Sequence, residues 1–554
     1  MLMNQKVQLE QIHSQFQRSR NVGRNVGYGL LNRCVALLLP FIVRTILIYR
    51  FGALYLGMNS LLASIFQVLN LAELGFGSAV VYSLYKPVAE GDTDTVCSYL
   101  GTYRKIYRII GLVILGLGLA VLPWFPLLVK DSPVPDSMNL YIWYLIFLAD
   151  AVMSYLLFGY KTSIPSALQR EDLLSKIDTA VLLCKSVVQI ACLILTDNFY
   201  FYLLTSLLFT VLRNLVISRV VDRRFPQYVC RGGISEAQFG ELKLLVGGLA
   251  LSKFRIASRH AIDSICITAF VNLTMTAVYS NYYLIHNAVV SLSGILCGAM
   301  VASVGNSIVS ESREKNYQDM RRFNFTYMLL AGWATICLLC LYQPFVRLWL
   351  GGVLPGGTVA EGEALARGNV AASSSLMLGM PEVAALCLYF YLLKAGDMRW
   401  VYHQGTGLWW KARYIVIAEI VCNVVLNIVL AKYWSVLGII LATLISLFFI
   451  NFIGGAWILF KEYFQNGRLG EFFADHAKYF LVTVAVGTVC FCLCETSADT
   501  GNPNKGVEAL YFLLRLFICT LVTALLYYLV YHRSAQYQDA KDWLWKRFRA
   551  MKER

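Results

Sequence analysis

Apolar residues run along this chain in long stretches broken by short charged or turn-rich segments. A hydrocarbon core ~30 Å thick takes roughly 20 apolar residues per helix, so runs of this length predict membrane-spanning helices. The pattern places them near 26–49, 56–82, 106–129, 139–160, 173–196, 198–220, 244–270, 276–303, 323–349, 376–395, 412–432, 435–460, 477–495 and 508–531. Numbered in chain order, these are spans 1 to 14. The fold class expected is all-α: a polytopic membrane protein of about 14 transmembrane helices, in two pseudo-symmetric six-helix lobes plus two C-terminal helices.

The breaks divide the chain further. The expected parts are a cytoplasmic N-terminal segment (1–25), an N-lobe (26–220), a cytoplasmic linker (221–243), a C-lobe (244–460), spans 13 and 14 (461–531) and a basic amphipathic tail (532–554). Two lobes are suggested by a weak duplication. Shifting the chain by about 219 residues brings Arg44 onto Asp263 and Leu61 onto Ser280, the kind of internal repeat from which transporters are built. LPWFPLLV at 122–129 likewise answers YQPFVRLWL at 342–350.

Lys and Arg collect in alternate loops, for example Arg104 and Lys105, Arg223 and Arg224, Arg321 and Arg322, and Arg399 with Lys411, while the loops between are poor in them. The positive-inside rule then puts both termini in the cytoplasm. The opening residues lack the apolar core and cleavage site of a signal peptide. The tail, with Trp543, Trp545 and Phe548 among Lys541, Lys546, Arg547 and Arg549, is expected to lie as an interfacial helix.

Composition agrees with the membrane reading: 58% hydrophobic and 15% charged residues over 554, with a mean hydropathy of +0.59. The net charge of +15 is accounted for by the cytoplasmic face and its attraction to anionic headgroups, so no nucleic-acid partner is needed. The fifteen cysteines are scattered through apolar runs and read as small apolar residues, and the six histidines do not cluster beside them. No metal and no cofactor is therefore expected. HExxH, P-loop and GxSxG motifs are absent, so no catalytic residue is assigned and a transporter is expected rather than an enzyme. The sequon at Asn272 sits too near a span to serve for glycosylation.

Charges inside the spans carry the functional reading, because a central charge costs at least ~2.5 kcal/mol and so faces a polar interior or a partner. Arg33 and Arg44 on span 1 are eleven residues apart, about 20° from a common face. Span 7 holds Lys253, Arg255, Arg259, His260 and Asp263, with Arg255, Arg259 and Asp263 at i,i+4 spacing. On span 5, Asp178 and Lys185 share a face, whereas Lys176 is expected to snorkel. Pairing such as Asp178 with Lys185 or Arg259 with Asp263 is the structural alternative. It leaves a cation excess, which an anionic ligand would balance, and arginine's planar fork suits a diphosphate. The candidate diphosphate-binding set is Arg33, Arg44, Lys185, Arg255 and Arg259. Glu73, Asp178, Asp263 and Glu419 are the candidates for coupling to a proton or sodium gradient, while Asp150 and Glu382 read as helix-end residues.

NLAELGFGSAVVYSLYKPVAEGD (70–92), preceded by RTILIYRFGALYLGMNSLL (44–62), resembles the polysaccharide transporter family of lipid-linked oligosaccharide and O-antigen flippases. That family lies within the multidrug/oligosaccharidyl-lipid/polysaccharide (MOP) exporter superfamily. AIDSICITAF (261–270), AVYSNYYLIHNAV (277–289), VGNSIVSE (304–311), PFVRLWLGG (344–352), EIVCNVVLNIVL (419–430) and LGIILATLIS (437–446) extend the resemblance over about residues 22–465. The Gly- and Ala-rich segment 354–375 departs from it.

The resemblance implies a bacterial inner-membrane flippase with two lobes around a central cavity. Its cargo would be an oligosaccharide repeat unit on a polyprenyl diphosphate, moved by alternating access for O-antigen, capsule or exopolysaccharide assembly. Membrane lipids, a polysaccharide polymerase and glycosyltransferases are the partners it implies. A cation-coupled multidrug exporter of the same superfamily is the alternative, and a membrane-embedded glycan polymerase or ligase a more distant one.

Overall fold

The computed structural model describes residues 2–552 apart from 74, 131, 133, 136–137, 351–376, 409 and 497–504. The described residues form helices joined by turns and short irregular segments, with no strand among them. The chain divides into two compact units, Met1–Ile265 and Cys266–Arg554.

The first unit contains α1 (Leu2–Phe51), α2 (Ala53–Leu69), α3 (Phe76–Glu90), α4 (Thr93–Val121), α5 (Leu140–Leu156), α6 (Glu171–Leu195), α7 (Phe199–Arg224) and most of α8 (Glu236–Phe270). In the second are α9 (Leu273–Ser310), α10 (Arg313–Leu350), α11 (Met380–Ala395), α12 (Asp397–Thr406), α13 (Arg413–Ile445), α14 (Leu469–Thr496), α15 (Lys505–Tyr531) and α16 (Ala535–Lys552). Nine helices among the described residues are long and apolar enough to cross a membrane, or ten if the bent pair Leu140–Leu156 and Gly159–Ala167 counts as one span. One of the nine, Arg413–Phe464, is 52 residues long and covers spans 11 and 12. It is interrupted at Trp434 and Ser435, where Ser435 takes φ 51, close to the short loop expected after residue 432. The chain is thus an all-α polytopic membrane protein.

Three elements differ from the sequence pattern. Span 2 is not continuous: α2 ends at Leu69, a 3-10 turn covers Asn70–Glu73, and α3 starts after Gly75. The cause is local, since Gly75 takes φ +101 and a Cβ there would lie 2.6 Å from the Ala250 backbone nitrogen and 2.8 Å from the Val246 carbonyl oxygen. Only glycine fits a left-handed site with backbone against it. Span 4 ends early, at Leu156, because Phe158 turns left-handed at φ 57. The 1–25 segment is not separate from span 1, since α1 begins at Leu2 and runs unbroken into it.

The boundary between the units falls inside α8 rather than within 221–243. That basic stretch packs back on α4: Arg231 pairs with Asp94 at 2.6 Å, and the Val229 N–H donates to the Cys97 sulfur. Asp92 caps α4, and hydrogen bonds from the Thr95 side chain and backbone hold its carboxyl below the usual range.

Helices α1 and α6 run parallel. Arg24, near the middle of α1, pairs with Asp172 at the start of α6, and Arg50 at the end of α1 donates to the Leu193 and Ile194 carbonyls at the end of α6. Two odd-numbered spans must run the same way under alternating topology, as these do. The tail helix α16 packs on α10. Its Asp539 accepts from Arg322 of α10 at 2.6 Å and Trp543 meets Phe323 edge-on at 5.4 Å, while Trp545 remains 63% exposed with Arg549 over its ring.

Candidate functional site

Within the first unit, α1, α2, α5, α6 and α7 line a cavity of about 330 Å³ whose polar wall includes Arg44, Asn59, Asp150, Lys185, Gln189 and Ser206. Arg44 and Lys185, assigned from sequence to diphosphate binding, come together here from separate helices. The volume lies at the lower end of the range for small-molecule sites, roughly 300–1,000 Å³. Leu39, Val43, Leu47 and Phe147 supply apolar walls, against which charges interact more strongly than in water. Gln189 donates to Ser206 at 3.1 Å, tying α6 to α7 at the rim.

Asp150 is the member that sequence reading misplaced. It stands six residues before the end of α5 and lines the cavity, close enough to Lys185 to interact with it electrostatically. Its Oδ1 is buried with no hydrogen-bond partner among the described residues. The cavity therefore presents two cations and one acid, a smaller cation excess than the sequence alone suggests. The other assigned cations are elsewhere. Arg33 is exposed on α1 and lines no part of this cavity, although Pro40 lies between it and Arg44 on the same helix. Arg259 is buried on α8, and the side chains of Lys253 and Arg255 lie outside the described residues.

Each acid proposed for ion coupling has a distinct setting. Glu73, in the turn between α2 and α3, accepts from Tyr107 on one oxygen and from Tyr155, at 2.8 Å, on the other. Asp178 does not pair with Lys185. It takes a two-pronged ion pair from Arg213 of α7, at 2.7 and 3.2 Å, because a guanidinium on the facing helix reaches both oxygens at once. Asp263 is 1% exposed on α8. Glu419 of α13 is equally buried and accepts from Asn451 at 2.6 Å, and Asn451 in turn accepts from Arg399 at 2.6 and 2.7 Å. Glu382 stands in the first turn of α11, as a helix-end acid should.

A second polar cluster in the second unit escaped the sequence reading. Lys394 is buried and pairs with Asp397 at 2.8 Å, and Tyr327 donates to the same oxygen at 2.5 Å. His286 is 1% exposed and stacks on Tyr389 with centroids 4.8 Å apart, and neither ring nitrogen finds a partner among the described residues. The available signal was Lys394 and Asp397 three residues apart, which lets them pair across the junction of α11 and α12.

No protein-family model matches the chain, and no curated protein matches it in sequence. Its architecture does match solved structures. The lipid II flippase MurJ in an inward closed conformation superposes with a TM-score of 0.62 at 13% identity, over 92% of this chain and 98% of MurJ. An inward-facing multidrug resistance MATE family transporter of the MOP superfamily gives 0.57 at 14% identity, over 79% and 95%. The eukaryotic MATE transporter AtDTX14 gives 0.51 at 12%, over 83% and 99%. The chain shares its fold with these three proteins. These three relatives by fold are a flippase and two transporters, none of them an enzyme.

Proposed function

We propose that this chain is a flippase for polyprenyl-diphosphate-linked oligosaccharide repeat units, serving surface polysaccharide assembly at the bacterial inner membrane, with both termini cytoplasmic. The observation that carries this reading is the meeting of Arg44 and Lys185 in one cavity between membrane-spanning helices. A diphosphate carries the opposite charge, and a guanidinium beside an ammonium can grip two of its oxygens while the lipid tail stays in the bilayer. The two-unit MOP fold supports alternating access, in which cargo binding shifts the population between states open to either side. The flippase MurJ acts on lipid II, itself a lipid-linked cargo, which favours the same substrate class.

The buried Asp150 oxygen and the MATE relatives favour a second reading, a cation-coupled drug exporter. Four variants separate the two in a strain whose surface glycan depends on this protein, with membrane levels matched by blotting. As a flippase, Arg44→Ala and Lys185→Ala each lower glycan export at least about tenfold, as expected when one charge-assisted contact of ~1.5–3 kcal/mol is removed, and Asp150→Asn leaves it near normal. Arg44→Lys recovers export only in part, since it lacks the fork. As a drug exporter, Asp150→Asn abolishes resistance to cationic drugs and the Arg44 variant does not. Normal export by both cation variants overturns the diphosphate site.

A further inference from the structure

Three helices of the second unit deliver thiols to one point. Cys340 of α10, Cys494 of α14 and Cys519 of α15 are all buried, and their sulfurs lie within 4.8 Å of one another. The Cys494 and Cys519 sulfurs are 3.7 Å apart. Cys490, one turn before Cys494, sits behind them with its sulfur 3.8 Å from the Thr523 hydroxyl. We propose that Cys340, Cys494 and Cys519 form a binding site for a thiophilic d10 metal ion, Zn(II) in the first instance.

The geometry favours this use over a disulfide. A zinc ion with Zn–S bonds of about 2.3 Å holds tetrahedral sulfur ligands about 3.8 Å apart, so the spacing here needs only small rotations of the side chains. A disulfide demands about 2.05 Å and would leave the third thiol unused. Soft thiolate donors select Zn(II) and Cu(I) over the hard cations of the cell.

Charge and access fit as well. Cys340 and Cys494 line a cavity of about 480 Å³ together with Arg515 and Glu495, so an ion has room to reach the sulfurs. Zn(II) binding to three thiols releases three protons and leaves a complex of charge −1, with water as fourth ligand. Arg515, one turn before Cys519 on the same face of α15, supplies the balancing positive charge. Its Nε is buried without a partner among the described residues. A bound ion would staple α14 and α15 to α10 by covalent-strength links that apolar packing does not provide.

The test uses the purified full-length chain in detergent, with thiols reduced beforehand, titrated with Cd(II) and then Zn(II) alone. The expected result is one saturable ion per chain, with an X-ray absorption spectrum of the zinc form dominated by sulfur at about 2.3 Å. Cys494→Ser and Cys519→Ser should weaken binding more than about tenfold, while Cys492→Ser, an exposed thiol two residues from Cys494, leaves it unchanged. Zinc should also raise the melting midpoint of the wild-type protein by several degrees. The wild-type spectrum is informative even where a serine variant fails to fold. A shell of oxygen or nitrogen only, equal binding by the Cys494 and Cys519 variants, or a Cys494–Cys519 disulfide mapped by mass spectrometry in protein kept from oxidants would each overturn the site.

Discussion

At the scale of single residues, the acids divide into those paired within the structure and the one that lines the cavity. Asp178 and Arg213 illustrate the first kind: their side chains are 29% and 36% exposed, so the pair is screened by its surroundings and contributes modestly. Asp178→Asn and Arg213→Gln should each lower stability by under ~1 kcal/mol, and the double variant by less than their sum. Neither should move the pH profile of transport. A profile shifted by Asp178→Asn but not by Arg213→Gln would return Asp178 to the coupling role first assigned to it. The sequence places Asp178 and Lys185 on one face, but spacing along a helix is silent about the facing helix, and that is where Arg213 stands. The same limit hid the role of Asp150, whose place near a helix end says nothing about what α1 and α6 bring to meet it.

At the scale of elements, hydropathy found the membrane passes and lost their interruptions. The run 56–82 is apolar enough to read as one helix, because glycine barely alters mean hydropathy while reshaping the backbone. The tight packing at Gly75 makes a graded prediction possible. Gly75→Ala combines left-handed strain with a backbone clash and should destabilise by roughly 2–4 kcal/mol. Gly91→Ala, at φ +72 with nothing within 4 Å, should cost only about 1–2 kcal/mol. Thermal melts of the two variants in detergent, run side by side, give the comparison. Equal midpoints would mean that the α8 backbone yields at this contact. The kink at Ser435 was better marked in the sequence, since Lys432 and Trp434 interrupt the apolar run there.

At the scale of the whole molecule, the alternation of basic loops was legible throughout, because it depends on charge count rather than on packing. It expects Gly232 on the cytoplasmic side, and the structure adds that this residue packs beside Ser98 on α4. A reporter fused after residue 232 should therefore report a cytoplasmic location, and an external signal there would invert the orientation assigned to every span. The candidate site was half legible. Arg44 and Lys185 could be named from their apolar surroundings, but their meeting is a product of the parallel packing of α1 and α6. The Gly- and Ala-rich segment 354–375 falls outside the described residues.

Helix α8 has a mechanical consequence. It is one uninterrupted rod of 35 residues whose last turn belongs to the second unit, and its Val246–Ala250 backbone is seated in the notch at Gly75. The bearing fixes the height of the rod at this point, since backbone meets backbone there with no side chain to yield. Two residues from the bearing is Glu73, clasped by the phenols of Tyr107 and Tyr155. Those two hydrogen bonds pin the turn that forms the notch, so the placing of a single carboxylate fixes where a helix about 50 Å long is seated.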